Sequence, residues 1–398
     1  MRIRVEYAGQ RQHTCSMIPP RWLRRQLTTA ATIGVCVLLC AIIIVRRHDK
    51  SRNHYLSPEL MNHAIKPTLG QDSLLTRQES TRLCRQHGFP TYGKARKVYD
   101  LVLFSTELDW LEIRLNTLAS YVDYFVVIES PTTFTNKPKP LILQQNWNRF
   151  EKYHEKMIYM VVQDPVVSTR HWDHEDFFRN ALLQEVFPSL VGTHKEAHKG
   201  DVLLTSDMDE IIRPGVALLL RYCDFPSRLT LRTHFYYYSF QWYHHGEQWA
   251  HPDATIFGGT IANTLAPNDL RQGLLGPGLL PFAALSRWWN RATLWNAGWH
   301  CSSCFATIEE MRTKMQSFSH QPWNTAGNRD SRVMMSRVRN GLDLFGREGE
   351  IYDRFEHNED VPEYILRQNG ESGKFKYLLN RDGEDAGFED WNVTSNAD

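Results

Sequence analysis

The sequence predicts an α/β protein with a doubly wound, mostly parallel β-sheet. The first observation behind this prediction is that short apolar runs alternate with stretches of helical periodicity, which is typical of parallel strands with helices on both faces. The second is that Glu107, Glu129 and Asp207 stand at the ends of three such runs. Because ligands bind at the carboxyl ends of the strands in these sheets, we expect a ligand site at this edge.

The predicted elements are short and are bounded by polar residues. The apolar run at 98–104 predicts a buried strand, and Ser105, Thr106 and Glu107 then supply the polar start of a helix whose leucines recur on one face. The same patterns predict strands at 121–129, 158–162, 201–206 and 227–240, and helices at 144–157 and 176–186.

Length and composition allow one large core or two small domains. The chain has 398 residues, of which 42% are hydrophobic and 12% aromatic. Its formal net charge is +1, so no face is strongly basic without a compensating acidic face elsewhere. The composition therefore argues against a nucleic-acid partner.

Residues 27–45 are nineteen consecutive residues without a charge. As a helix this segment spans about 28 Å, which just crosses the apolar core of a bilayer. Arg46 and Arg47 follow it, rather than the small residues of a cleavage site, so we predict an uncleaved membrane-spanning helix, with a cleaved signal peptide as the alternative. The predicted order is a tail at 1–26, the spanning helix at 27–45, a flexible stem at 46–97, a globular domain at 98–380 and an acidic tail at 381–398.

Two features suggest that the part after residue 45 faces an oxidising lumen. Asn392 begins a glycosylation sequon, and Cys84, Cys223, Cys301 and Cys304 are an even number of cysteines in this part of the chain. The last two have the spacing of a redox or zinc half-site, but no second pair follows at metal-binding spacing. We therefore expect structural disulfides, and three pairings remain open.

Asp207 and Asp209 directly follow the apolar run at 201–206. Successive side chains of a strand point to opposite faces, so two acids one residue apart share a face. Two carboxylates at a strand end are able to hold a divalent cation. The alternative is that they only end a strand at the protein surface.

Several segments resemble glycosyltransferase family 17. The resemblance extends from about residue 98 to 379, and its most specific part is the string AGWHCSSCF at 297–305. Further matching segments are 104–118, 124–130, the helix around Arg179, 201–211, 362–366 and 375–379. Two departures are Ser206, where the animal member of the family has another acid, and the segment 263–290, which does not align convincingly. The second departure leaves the identity of the acceptor open.

This resemblance implies a GT-A-like catalytic domain at 98–380. The implied reaction transfers N-acetylglucosamine from a UDP-GlcNAc donor, with inversion, to a mannose residue of an N-linked glycan or a related glycoconjugate. The implied location is the Golgi or ER membrane, in a single-pass type II orientation with a cytoplasmic N-terminal tail and a lumenal catalytic domain.

A divalent metal, Mn²⁺ or Mg²⁺, is the cofactor that we expect with this donor, because it stabilises the charge of the departing diphosphate. We assign Asp209 as the principal ligand and Asp207 as a ligand or ribose contact. His300 is the candidate third ligand, since imidazole suits Mn²⁺. The alternative for His300 is a hydrogen-bonded side chain that braces the turn beside Trp299 and Cys301.

Two further residues are candidates for donor binding. Glu129, at the end of the second predicted strand, is expected to face the uridine, or else to cap a neighbouring loop. Arg179 is expected to pair with the diphosphate through its planar guanidinium. An ion pair with Asp176 or Glu175 is the alternative for this arginine.

An inverting transfer also needs a base near the acceptor hydroxyl, which is usually a carboxylate. We select Glu247, which lies among aromatic residues after the strand at 227–240, and Asp253 and Glu309 compete with it. Two other functions stay open. One is an inactive membrane-anchored binding protein on a transferase fold, and the other is a metal-dependent phosphatase, which the position of the aspartate pair deep in the chain disfavours.

Overall fold

The computed structural model describes residues 32–40, 45, 52–62, 75–274 and 280–391. Residues 32–40 are helical and are labelled α1. Within the described residues, no helix is both long and apolar enough to cross a membrane. The spanning helix predicted at 27–45 is thus not found among the described residues; 27–31 and 41–44 lie outside them, as do the tail at 1–26 and the sequon at Asn392.

In the part of the chain that the structure describes, the sheet has eleven strands and is mixed. The strands are β1 Asn53–Tyr55, β2 Val98–Phe104, β3 Tyr124–Glu129, β4 Met157–Val161, β5 Val202–Ser206, β6 Glu210–Ile212, β7 Arg228–Tyr237, β8 Ser239–His244, β9 Asp253–Ile256, β10 Arg291–Ser302 and β11 Tyr352–Arg354. The main path of the sheet runs β1-β10-β7-β9-β5-β2-β3-β4. In addition, β6 pairs with β10, and β8 pairs with β7 and β11.

The predicted mostly parallel, doubly wound sheet is therefore wrong, and the GT-A-like fold expected with it is not confirmed. The strands β5, β2, β3 and β4 are parallel neighbours, as predicted. However, β9 lies antiparallel between β5 and β7. The predicted strand at 227–240 also reverses direction at Tyr238, whose φ is 65°, and so forms the hairpin of β7 and β8. Apolar patterning fixes which residues are buried in a strand but not the strand's direction.

Helices cover both faces of the parallel part of the sheet. On one face of β2, Val98 and Val102 belong to a core that also contains residues of the helices at 108–118 and 214–222. On the other face, Tyr99 and Leu101 belong to a core with residues of the helices at 171–184 and 186–190. The helices are α2 Pro58–Asn62, α3 Arg77–Gln86, α4 Leu108–Leu118, α5 Ile142–Gln145, α6 His171–Gln184, α7 Val186–Leu190, α8 Pro214–Tyr222, α9 Pro267–Arg271, α10 Phe282–Trp289, α11 Ile308–Ser317, α12 Ser331–Asn340, α13 Glu363–Ser372 and α14 Lys376–Leu379. The helix predicted at 144–157 is mainly a 3₁₀ segment, Trp147–Lys156.

Part of the predicted flexible stem at 46–97 is folded. Strand β1 pairs in parallel with β10 at Thr293–Trp295. Leu83 and Cys84 of α3 are buried in the core, and Cys84 forms a disulfide with Cys223. The polar composition of this segment did not predict these contacts. A few apolar residues and one cysteine are sufficient to attach a short segment to an existing core.

Strand β10 carries residues 297–302 of the string AGWHCSSCF, and at 298–300 it lies between β7 and β6. A Cβ atom on Gly298 would lie 2.2 Å from the main-chain oxygen of Ile211, a distance that no side chain tolerates. The absence of a side chain at this position is therefore what allows β10 and β6 to approach. The register of the two strands places His300 opposite Glu210, and a second disulfide joins Cys301 to Cys304 just beyond it.

Candidate active site

A cavity of about 360 Å³ lies at the carboxyl ends of β2 and β3. Its walls come from the ends of these strands, from α6, from the turn at 207–209 after β5, and from the segment 317–320. Asp207, Asp209 and Arg179 line it, together with Arg271 and Lys314. A cavity therefore exists at the edge of the sheet where the ligand site is predicted, and three of the predicted site residues line it.

The aspartate pair lies in a tight turn between β5 and β6. The Glu210 amide donates to the Asp207 carbonyl at 3.1 Å, and the Asp207 amide donates to Glu210 Oε2 at 2.9 Å. The side chain of Asp207 is 38% exposed and that of Asp209 is 12% exposed. Because these residues are in a turn and not in a strand, the two carboxylates have different neighbours.

Asp207 is held between two arginines. Its Oδ1 accepts from Arg179 Nη2 at 3.1 Å, and its Oδ2 accepts from Arg271 Nη2 at 2.6 Å. Burial raises the pKa of Asp207, but the charges of Arg271 and Arg179 outweigh it and hold this pKa below its usual value. Arg179 also pairs with Glu175 at 2.7 Å. It therefore lines the cavity and at the same time makes the ion pair with Glu175 that was one alternative for it.

Glu210 was not predicted as a site residue. Its side chain is fully buried, and it accepts from Arg271 Nη1 at 2.8 Å and Nη2 at 2.7 Å. Trp249 Nε1 donates to the same carboxylate at 2.7 Å. Burial opposes the charge of Glu210, but Arg271 more than compensates and keeps its pKa well below the usual value. The acid directly after the aspartate pair was visible in the sequence, but its partners are distant along the chain.

Asp209 faces Lys314 and His300. Lys314 Nζ lies 3.3 Å from Asp209 Oδ2, and His300 Nε2 lies 3.8 Å from Oδ1. The imidazole of His300 has its centroid 4.9 Å from the rings of both Phe235 and Trp249. Burial lowers the pKa of His300 despite the opposing charges of Asp209 and Glu210, so this histidine is neutral at physiological pH.

The predicted metal ligands do not come together as a complete set. Among the described residues, no group of three or more histidine, cysteine, aspartate or glutamate side chains is placed to hold a metal ion. Both oxygens of Asp207 are bonded to arginines, which leaves Asp209 and His300 as the closest pair. His300 Nδ1 is buried without a hydrogen-bond partner in the described part of the chain. The arrangement therefore does not fit a three-ligand divalent site.

Glu129 is a buried cap at the start of α5. Its oxygens accept from the amides of Leu143 at 3.0 Å and Gln144 at 3.2 Å, and from the Tyr159 hydroxyl at 2.7 Å. Lys139 Nζ lies 3.6 Å from it. These contacts are those of the capping alternative. Glu129 is not among the residues that line the cavity, and its contact with uridine stays a prediction.

Glu247 lies away from the cavity. Its side chain is 78% exposed and pairs with Arg232 at 3.0 Å. Of its competitors, Glu309 is 72% exposed, and Asp253 is buried and bonded to Thr230 at 2.8 Å. The carboxylates that line the cavity, besides the aspartate pair, are Glu107 and Glu175. Glu247 as the base stays a prediction.

Arg114 forms hydrogen bonds with the main chain of the turn that carries the aspartate pair. Its Nη1 donates to the main-chain carbonyls of Asp207 at 3.1 Å, Met208 at 3.3 Å and Glu210 at 2.9 Å, and its Nη2 donates to the hydroxyl of Ser206. Arginine is the one side chain with enough donors for such a set. Ser206, where the sequence departs from the family, is therefore a hydrogen-bond partner of the arginine that shapes the turn.

Comparison with known proteins gives a family match over most of the chain. The chain matches the model of glycosyltransferase family 17 over residues 25–257 and 287–380. The beta-1,4-mannosyl-glycoprotein 4-beta-N-acetylglucosaminyltransferase of Rattus norvegicus is 28% identical over 307 residues, which cover 71% of this chain and 54% of the relative. The enzymes of the same name from Mus musculus and Homo sapiens are 27% identical, over 71% of this chain and 54% and 55% of their own lengths.

The chain thus spans about half the length of these curated relatives. The family match covers most of the residues that build the cavity, including the aspartate pair, Arg179 and Lys314. It omits residues 258–286, which contain Arg271. The chain belongs to glycosyltransferase family 17.

Proposed function

We propose that this glycosyltransferase moves N-acetylglucosamine from UDP-GlcNAc to a mannose residue of an N-linked glycan or a related glycoconjugate. The names of the relatives support both the sugar and the acceptor class. The proposal for the acceptor carries over from proteins that are about twice as long as the matched region, so it needs its own test.

One observation carries the proposal for the donor. A single cavity of about 360 Å³ combines the cations Arg179, Arg271 and Lys314 with the aromatic side chains of Trp172, Phe178 and Phe318. A sugar nucleotide has the matching chemistry, since its diphosphate needs cations and its planar base packs against aromatic rings. The volume is within the range of small-molecule sites, about 300–1,000 Å³.

The proposed reaction is an inverting transfer. The acceptor hydroxyl oxygen attacks C1 of the donor sugar, the bond between C1 and the β-phosphate oxygen breaks, and its electron pair leaves with UDP. The proton of the hydroxyl passes to a carboxylate. Fixed cations near the departing oxygen stabilise the charge that develops there, and such preorganised groups are the largest contribution to many enzymatic rate enhancements.

Glu247 is the proposed base, and Glu107 is its matched comparison because it lines the cavity. Glu247→Gln is expected to lower kcat by about 10²- to 10⁴-fold, the usual contribution of a general base, with UDP affinity unchanged. If kcat is normal in Glu247→Gln and falls by that factor in Glu107→Gln, Glu107 and not Glu247 is the base.

The decisive experiment is a screen of the full-length chain against UDP- and GDP-sugars with mannose-containing acceptors. Each reaction is run with Mn²⁺, with Mg²⁺ and with EDTA, and the linkage of any product is determined by NMR. We expect a β-linked N-acetylglucosamine product from UDP-GlcNAc, and transfer from a GDP-sugar would overturn the proposal.

The screen needs two variants as controls. Asp209→Asn is expected to abolish transfer, because Asp209 lines the cavity and contacts Lys314. Asp353→Asn is the matched control, since Asp353 is 53% exposed and its one ion pair within the described residues is with exposed His245. Equal loss in both variants would indicate a folding defect and not a site effect.

We also propose that residues 53–391 reside in the lumen of the Golgi or ER. The disulfides Cys84–Cys223 and Cys301–Cys304 support this proposal, because disulfides persist in oxidising compartments. In cells lysed with a thiol-alkylating reagent, these four cysteines are expected to stay unlabelled until a reductant is added. Labelling without a reductant would argue against a lumenal location.

A further inference from the structure

Arg271 comes from the one internal segment that the family match leaves out. The matched regions end at residue 257 and resume at 287, and Arg271 is the last residue of the short helix Pro267–Arg271 within the gap. Its side chain is 6% exposed and lines the cavity. A segment outside the family pattern therefore places a permanent cation beside the aspartate pair.

The guanidinium of Arg271 has a fixed orientation. Buried Glu210 accepts from both of its Nη atoms, at 2.8 and 2.7 Å, in the bidentate geometry that holds an arginine plane most firmly. Glu210 is itself fixed, because Trp249 Nε1 and the Asp207 amide donate to it at 2.7 and 2.9 Å. The cation is thus positioned before any ligand arrives.

Arg271 still has donors to offer. A guanidinium has about five N–H groups, and the hydrogen bonds of Arg271 within the described residues use three, namely Nη1 to Glu210, Nη2 to Glu210 and Nη2 to Asp207. One N–H of Nη1 and the N–H of Nε remain. Arginine binds phosphate oxygens through such neighbouring N–H groups.

We propose that Arg271 binds the diphosphate of the sugar-nucleotide donor and stabilises the charge on the departing UDP; this inference rests on the proposed function. As the bond between C1 and the β-phosphate oxygen breaks, the electron pair moves to that oxygen and Arg271 stabilises it without giving up a proton. Lys314 and Arg179 are the neighbouring cations of the same cavity. The segment 258–286 thereby contributes to donor binding.

The test compares the binding of UDP and of uridine to the full-length chain by titration calorimetry, in EDTA and again with Mn²⁺. In Arg271→Met, the affinity for UDP is expected to fall about tenfold or more in both conditions, the size of a lost charge-assisted hydrogen bond. The affinity for uridine, which has no phosphate, is expected to stay unchanged. Arg287→Gln is the matched control, because Arg287 bonds only to the Gly273 carbonyl within the described residues and is not part of the cavity wall.

Two further variants keep the test decisive if Arg271→Met does not fold, since that change leaves Glu210 buried without its cation. Arg271→Lys keeps the charge and loses the planar geometry, and Glu210→Gln with Arg271→Met removes both charges together. Each is expected to weaken UDP binding while leaving uridine binding intact. Wild-type affinity for UDP in any folded Met or Lys variant, or an increase, would overturn the role of Arg271.

The same data separate this inference from the proposed function. If the wild-type chain binds neither UDP nor uridine, the uridine-nucleotide donor is wrong and the role of Arg271 falls with it. If the wild-type chain binds UDP and Arg271 variants bind it equally well, only the inference about Arg271 is wrong.

Discussion

Arg114 binds Asp100 through two hydrogen bonds of 2.7 Å, from Nε and from Nη2, and both side chains are fully buried. The remaining Nη1 donors go to main-chain carbonyls of the turn at 207–210. A buried ion pair between α4 and β2 thereby fixes the shape of the turn that carries the aspartate pair.

Arg114→Leu is expected to reduce both stability and donor binding. The variant leaves Asp100 buried and unpaired, which costs about 3–5 kcal/mol of unfolding free energy, measurable by urea denaturation. Arg114→Lys keeps a cation near Asp100, so it is expected to lose less stability, but it cannot serve the three carbonyls at once. UDP binding by Arg114→Lys at the wild-type affinity would contradict a role for Arg114 in shaping the turn.

Gly298→Ala is expected to destabilise the protein and to lower activity. The added Cβ would lie 2.2 Å from the Ile211 oxygen, so β10 and β6 must separate, and overpacking of this kind costs about 1–3 kcal/mol or more. The separation would also move His300 relative to Asp209. Gly327→Ala is the matched control, because a Cβ there would meet no atom within 4 Å. Equal thermal midpoints for the two variants would refute the steric argument.

The two disulfides are expected to contribute very different amounts of stability. The Cys84–Cys223 bond links residues 139 apart and the Cys301–Cys304 bond links residues 3 apart. By loop-closure entropy, the first contributes about 5 kcal/mol and the second about 2 kcal/mol. Urea denaturation of the paired serine variants measures both values. A larger loss of unfolding free energy in Cys301→Ser with Cys304→Ser than in the other pair would contradict the loop-entropy argument.

His87 predicts a loss of stability at mildly acidic pH. It is 3% exposed, its Nδ1 donates to the Leu83 carbonyl at 2.8 Å, and its Nε2 accepts from the Ser57 amide at 3.2 Å. Burial lowers the pKa of His87, and the bond to Leu83 opposes this only in part. The folded state therefore holds the neutral ring, and protonation removes the acceptor of Ser57.

The pKa of His87 is lower in the folded state than in the unfolded state, where it is about 6.5. The contribution of the neutral His87 ring to the unfolding free energy is therefore complete above about pH 6.5 and is lost as the pH falls below that value. In that range the unfolding free energy falls by at most about 1.4 kcal/mol per pH unit. Urea midpoints of wild type and His87→Gln between pH 7.5 and 5.5 measure it, with exposed His245→Gln as the control. An identical pH dependence in wild type and His87→Gln would contradict the assignment.

The sequence predicted the parallel part of the sheet well. Strands β2, β3, β4 and β5 and helices α4 and α6 are where apolar runs and helical periodicity indicate them, with ends that differ by a few residues. These patterns are local. Strand direction is not local, so the antiparallel β9 and the reversal at Tyr238 were missed.

The candidate site was predicted in part for the same reason. Asp207 and Asp209 stand out because they are one residue apart in the sequence, and His300 lies within the string AGWHCSSCF. Arg271 and Lys314 lie 61 and 105 residues from their acidic partners Glu210 and Asp209, and no sequence spacing marks such pairs. Glu210 carried one usable indication, its position directly after the aspartate pair.

The ion pairs around the turn also affect the cavity when no ligand is bound. The acids Asp207, Asp209 and Glu210 pair with the cations Arg179, Arg271 and Lys314. Each of these three cations therefore keeps a carboxylate partner in the empty cavity. A bound anion has to compete with these carboxylates, and its departure leaves none of the three cations unpaired.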